Sequence, residues 1–389
     1  MSRLNELIQQ YCPDGVEYKK LEDCCQILDN KRKPITKGAR VAGEYPYYGA
    51  NGVQDYVANY IFDGKYVLVG EDGSVIKPSG TPVVNWAEGK IWVNNHAHII
   101  SEKKGVLLRY LFHYLQTINI TPLIHGNIPK LTGGDFRALT IPIPPLPVQE
   151  EIVRILDNFA ELQAELQAEL QKRLQQYNYY RDNLLSFEGR TDVEWKKLGD
   201  VADLLSGFPF DSTQFTSAGI RLMRGVNIKR GQLCFNENDD RYWKSTAGLE
   251  KYIVEENDIV ISMDGSLVGK SFGMVKKEHL PLLLVQRVAR IRSSVFNINF
   301  IYHCIKNWFP NYVDKKKTKG AIPHISMKDI ANLPLPSLSL EEQEKIATIL
   351  DRFDTLTNDL SQGLPAEIEA RRKQYEYYRD QLLTFKQKA

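Results

Sequence analysis

The sequence predicts an α+β chain: two similar β-rich domains joined by two long antiparallel helices with pseudo-twofold symmetry. Three observations carry this expectation. Short apolar runs such as KYVLVG (65–70) and DIVISM (258–263), broken by Gly, Pro, Asn and Asp, read as strands with few helices between them. Two segments, 152–184 and 346–382, place apolar residues every three or four positions, the stripe of an amphipathic helix. The blocks of one half also recur, in the same order, in the other.

The repeat fixes the layout. GVEYKKLEDC (15–24) matches DVEWKKLGDV (192–201), and VLVGEDGSVIK (67–77) matches IVISMDGSLVG (259–269). YLFHYL (110–115) matches FIYHCI (300–305) in pattern, and GNIPKLTGGDFRALTIP (126–142) matches GAIPHISMKDIANLPLP (320–336). QEEIVRILDNF (149–159) matches QEKIATILDRF (343–353), and YNYYRDNLLSF (177–187) matches YEYYRDQLLTF (375–385). The offsets drift from 177 to 198, as small loop insertions would make them. The expected division is a first domain over 1–148, a spacer helix over 149–188, a second domain over 189–340 and a closing helix over 341–389.

Each domain ends in a proline-rich exit, IPIPPLP (141–147) and LPLPSLS (333–339), expected to be a stiff extended link. Ser339 and Glu342 form a capping box that starts the second helix. That helix is expected to break at Gly363 and Pro365, whereas the first is uninterrupted. A lone exposed helix of this length is marginal, so each stripe needs a partner, and the two are expected to pack on each other. A 39-residue helix spans about 58 Å at roughly 1.5 Å per residue and carries the chain to the second domain. The second helix then returns, and its end meets the N-terminus. Within the first, AELQAELQAELQ (160–171) writes one unit three times, which reads as a ruler.

Composition bounds the function. Net charge is +2, from 50 basic and 48 acidic residues, which neither advertises nor excludes nucleic acid. No apolar run reaches 18 residues and the N-terminus lacks a signal-peptide core, so a cytoplasmic protein with no membrane span is expected. Five cysteines without C-x-x-C spacing suit reduced structural thiols. DGSLVGKS (264–271) has Asp264 where a phosphate-binding loop needs Gly, so a turn at Asp72–Gly73 and Asp264–Gly265 is the better reading. No catalytic residue, metal or cofactor is expected. Two similar modules held apart suit a long repetitive ligand such as duplex DNA, with each module reading its own half-site.

CPDGVEYKKL (12–21), PYYGANGVQDYV (46–57), GEDGS (70–74), VNNHAHII (93–100), IPIPPLPVQEEI (141–152) and GLPAEIEARRKQYEYYRDQLLTF (363–385) together carry a resemblance over essentially the whole chain. The sequence resembles the DNA-specificity subunits of Type I restriction–modification systems. The resemblance implies two target-recognition domains, a non-catalytic role, and a bipartite DNA target whose gap is set by the helical spacer. It also implies two adenine methyltransferase subunits and an endonuclease–translocase subunit as partners. The first helix departs from the second: AELQ units stand where GLPAEI stands, and Phe159 to Tyr177 is four residues shorter than Phe353 to Tyr375. The alternatives are a scaffold that binds two proteins without reading DNA, and an enzyme built on the degenerate phosphate loop.

Candidate DNA contacts follow from side-chain chemistry. Asn95 and His96 align with Gln286 and Arg287, and Asn, Gln and Arg read base edges bidentately. His98 lies two residues from His96, on the same strand face; a metal there would need a third ligand that the sequence does not supply. Lys77 and Lys270 follow the DG turns. His125 and Lys130 belong to the first Gly-Pro loop, Lys317, Lys319 and His324 to the second, and all suit phosphate. Tyr48 and Asn51 in one domain, and Arg224, Asn227 and Lys229 in the other, complete the set. His113 and His303 read as structural. The family likeness implies partner docking at Tyr177, Tyr180, Arg181, Tyr375, Tyr378 and Arg379.

Overall fold

The computed structural model describes residues 2–187, 189–317, 323–359 and 362–388. It divides into two compact units, Met1–Ala168 with Glu367–Ala389, and Glu169–Ala366. In the first, a six-stranded mixed sheet runs in the order Gln26–Ile27, Ala97–Ser101, Phe62–Gly70, Val84–Val93, Ala42–Gly49, Gly52–Val57. Phe62–Gly70 pairs antiparallel with both neighbours. Its last four residues are all buried because both sheet faces are covered. Val67 and Val69 enter one core with Ile100 and Leu111, and Leu68 enters another with Ile91 and Ile99, the period of two of a pleated strand.

The second unit repeats the device on a different sheet plan. Asp203–Ser206, Val288–Arg292, Ile259–Ser262 and Phe272–Met274 form one four-stranded sheet. Tyr242–Trp243, Ile220–Met223, Leu282–Leu284 and Ile253–Val254 form another. Ile259 and Ile261 face a core with Phe300 and Ile305, while Val260 faces one with Met223 and Leu284.

The proline-rich exits are not mere links. Thr140–Ile143 pairs with Glu17–Lys20, and Pro334–Ser337 with Glu194–Lys197, placing Pro142 opposite Tyr18 and Pro336 opposite Trp195. A two-stranded ladder is all edge, so a proline that donates nothing is tolerated there.

The first long helix is continuous over Leu146–Leu184, with Pro147 in its opening turn, where the missing N–H costs nothing. The second is two helices, Leu340–Asn358 and Leu364–Leu382, and the Ser339–Glu342 capping box is formed. At the break, a Cβ on Gly363 would lie 2.4 Å from the Thr355 carbonyl oxygen, so no side chain fits. The end of the chain joins the start of the first unit: Val16 N–H donates to Lys386 O (2.9 Å) and Lys388 N–H to Val16 O (2.9 Å).

Each helix start is tied to its domain by the same residues. Buried Gln149 accepts from Leu107 N–H (2.9 Å) and donates to Pro144 O (2.7 Å). Gln343 accepts from Asn297 N–H (2.9 Å) and donates to Leu338 O (2.9 Å). Eight residues on, Asp157 meets buried His113 Nε2 and Asp351 meets buried His303 Nε2, each at 2.7 Å. Both histidines are structural, as the sequence indicated.

Burial pushes the His113 pKa below its ordinary value of 6.5, and the neighbouring Asp157 only partly offsets this. The unfolded chain therefore binds a proton that the folded unit refuses. Stability from this source is complete above about pH 6.5 and falls as the pH drops below it. Unfolding titrations should show the first unit losing stability as the pH falls below about 6.5, the ordinary histidine value. His113→Gln should flatten that dependence; an unchanged slope would exclude His113 as its source.

Candidate nucleic-acid interface

Three loops converge in each unit through the same main-chain bonds. In the first, Glu71 N–H donates to His96 O (2.8 Å), Leu131 N–H to Glu71 O (2.8 Å) and Gly73 N–H to Pro129 O (2.9 Å). In the second, Met263 N–H donates to Arg287 O (2.9 Å), Ile325 N–H to Met263 O (2.8 Å) and Gly265 N–H to Pro323 O (3.1 Å). Gly73 and Gly265 turn the chain at φ of 85° and 99°, a region that favours glycine. Asp72 bridges to Lys130, and Asp264 to His324. The DG turn, the turn before the inner strand and the Gly-Pro loop thus form one constellation, written twice.

The side chains differ. Exposed His96 reaches Asp72 through Nδ1, whereas exposed Arg287 donates from Nη1 to Asp264 Oδ2 (2.7 Å). Beneath the first constellation lies a charged layer. Arg32 Nη1 is 2.6 Å from Glu71 Oε2, and buried His98 meets Asp29 Oδ2 at 2.7 Å and Leu131 O at 3.1 Å while stacking on Phe136. Burial raises the Asp29 pKa, but hydrogen bonds from His98 and Ile99 N–H with the charge of Arg32 hold it below the ordinary value. In the second unit the matching position to Glu71 is the buried, apolar Met263.

Asp29, Glu71 and His98 do bring three potential metal ligands within 4.8 Å of one another, a cluster the sequence reading did not find. A guanidinium already neutralises Glu71, and Asp29 Oδ1 accepts from Ile99 N–H (2.9 Å). The layer is therefore satisfied as an ion-pair network.

The other candidates separate by burial. Asn95 and Asn51 are exposed in turns, and Gln286 is exposed beside Arg287. Lys229, Gln286, Arg287 and half-buried Arg224 line an open cleft of about 530 Å³ with Phe210 and Phe215. Half-buried Tyr48 packs on the Phe62–Ile99 core. His125 is exposed 3.3 Å from Asp135, and Lys130 is 3.6 Å from Glu71. Lys77 is exposed and lies near the charges of Arg379 and Glu376. Lys270 lies near Asp314, which also pairs with Lys317 (2.6 Å). Lys319 lies outside the described residues.

Two of the DNA-contact expectations are overturned. His98 is 1% exposed and fully engaged, so it supports the loop rather than meeting a ligand. Asn227 is 0% exposed; it accepts from Arg224 N–H (3.1 Å) and donates to Cys234 O (3.2 Å) and Asp240 Oδ1 (3.3 Å). The helix-end set also changes. Tyr177 is buried against Phe353, and Tyr375 packs near Phe159 with its hydroxyl 3.3 Å from His113 Nδ1. Tyr180 stacks on Phe353 and Tyr378 on Phe159, while Arg181 and Arg379 pair with Asp182 and Asp380. Tyr180 remains 44% exposed, and Tyr179 and Tyr377 are more so, at 66% and 58%, which sequence reasoning missed. It also missed the basic run Lys31, Arg32, Lys33, Lys37, Arg40, although five cations in ten residues are a legible signal. Arg32 Nη1 donates to Ala97 O (2.7 Å), and Lys33 N–H to Val93 O (3.2 Å), so the run borders the Asn95–His96 turn.

A family model described as the Type I restriction modification DNA specificity domain matches residues 13–176 and again 191–370. The chain belongs to that family. Among the relatives of this specificity chain is a putative type I restriction enzyme specificity subunit from Haemophilus influenzae. The two are 35% identical over 385 residues, 95% of this chain and 96% of the relative. The specificity subunit of the Escherichia coli type I restriction enzyme EcoR124I/EcoR124II is 34% identical over 72% of this chain and 71% of its own. In fold, the chain is similar to the crystal structure of an S subunit from the M. genitalium Type I system. The TM-score is 0.66 at 15% identity, covering 95% of this chain and 96% of that one.

The two neighbouring histidines should separate in a stability assay. His98→Ala strands a buried carboxylate and should lower the stability of the first unit by about 1–3 kcal/mol. His96→Ala, at the surface, should change it by less than about 0.5 kcal/mol. Equal losses in urea unfolding would contradict the assignment of His98 to support.

Proposed function

We propose that this chain is the non-catalytic DNA-recognition subunit of a Type I restriction–modification complex. It reads an asymmetric bipartite target in duplex DNA, one half-site per β-rich domain. Two adenine methyltransferase subunits and an endonuclease–translocase subunit supply the chemistry in the cytoplasm. The division into domains 1–148 and 189–340, joined by antiparallel spacer helices 149–188 and 341–389, is part of this reading. The observation that carries it is the duplicated three-loop constellation: one main-chain frame presents imidazole in one domain and guanidinium in the other. Identical frames with different side chains suit two different half-sites. Exposed His96, Gln286, Arg287 and Lys229 are assigned to DNA, and Tyr179 and Tyr377 to protein partners.

Adenine methylation should be mapped across the genome that carries the gene, with and without it. Loss of one bipartite motif on deletion is expected; an unchanged map counts against the reading and favours a scaffold.

The AELQ run is assigned the role of ruler. Removing one unit shortens the helix by about 6 Å, close to two base pairs at ~3.4 Å each, and turns it by roughly 40°. Both half-sites should persist across a gap shorter by about two base pairs. Altered half-sites would end the ruler assignment.

A further inference from the structure

The second domain's constellation carries more information than a general affinity for DNA. Arg287 is an exposed residue at φ of 64°, a left-handed conformation uncommon outside glycine. Main-chain bonds hold it there: Arg287 O accepts from Met263 N–H (2.9 Å), and the adjacent Gln286 N–H donates to Phe208 O (2.8 Å). Its guanidinium is tied by one N–H to Asp264 Oδ2 (2.7 Å). Asp264 is itself fixed by its bridge to His324 and by Ser262 Oγ, which donates to its carbonyl (3.1 Å). A guanidinium has five N–H groups, so four remain for a ligand, in a plane set by the carboxylate.

The carboxylate decides between two ligands. A phosphate would be repelled by Asp264 at hydrogen-bonding distance from the arginine that receives it. A base edge is neutral. In the major groove a G·C pair presents N7 and O6 of guanine as acceptors, then N4 of cytosine as a donor. Arg287 followed by Asp264 presents the complement: a pair of donors beside one acceptor. The first domain lacks this pattern, because His96 has one ring nitrogen committed to Asp72 and only one left.

We propose that Arg287 and Asp264 together read one G·C pair in the half-site of the second domain. Arg287 takes guanine O6 and N7, and Asp264 orients it while accepting from cytosine N4. This rests on the DNA-recognition reading above.

The test is a set of methylation maps from strains carrying the native gene, a deletion, Arg287→Ala, Arg287→Gln and Asp264→Asn. The native motif should hold a G·C pair that Arg287→Ala and Asp264→Asn relax. Discrimination there should fall by about 5- to 150-fold, the equivalent of about 1–3 kcal/mol, with the other half-site unchanged. Arg287→Gln should move the preference at that pair toward A·T, since Gln pairs with adenine N6 and N7. The unchanged half-site also reports that the variants fold. A uniform fall in methylation with an unchanged motif, a loss at every site, or relaxation in both half-sites overturns the proposal while the recognition role stands. A deletion that leaves the map unchanged fails the recognition role itself.

Discussion

The whole arrangement depends on how each long helix leaves its domain, and that exit is set by a buried carboxamide used twice. Gln149 and Gln343 are 0% and 1% exposed. An amide in that position has both a donor and an acceptor to satisfy, and leaving either unmade is expensive in an apolar setting. Each side chain meets the demand with a main-chain N–H from the start of a domain helix and a carbonyl from the proline-rich exit. The start of a domain helix, 42 residues away in one unit and 46 in the other, is thereby held against the junction of exit and long helix. The His–Asp pair two turns later ties each helix start to its own domain at a second point.

The aromatic contacts follow the same doubled logic. Phe159 meets Tyr375 and Tyr378 in one unit; Phe353 meets Tyr177 and Tyr180 in the other. The packing side chains of the first helix thus flank the AELQ repeat, in which no residue is buried. Its half-buried leucines are Leu166 and Leu170.

Much of this was legible in the sequence because it is periodic or duplicated. The repeat gave the layout, period-three-to-four stripes gave the helices, and the capping box and Gly363 gave the start and break of the second. What escaped was set by contacts between distant residues. Asn227 looks like a DNA contact in MRGVNIKRG until Asp240 is found folded beside it, and His98 looks like one until Asp29 is. Among the tyrosines of YNYYRD, only the helical phase against Phe353 decides that Tyr177 is buried and Tyr179 exposed. The proline-rich exits read as links because their ladder partners lie more than a hundred residues away. The basic run at 31–40 was visible but has no twin in the second half, so the duplication does not point to it.

The bonds that close the three-loop constellation run between main-chain atoms, and main-chain atoms are the same whatever side chain is attached. Even the layer beneath is exchangeable, since Glu71 with its ion pairs in one unit stands where Met263 stands in the other. The loops therefore work as a socket whose fitting can be changed without rebuilding the wall behind it. On the proposed reading, a substitution at the position of His96 or Arg287 changes what is read without removing any of these main-chain bonds. Under that reading, a lineage pressed to change its recognised word reaches a new vocabulary by single substitutions.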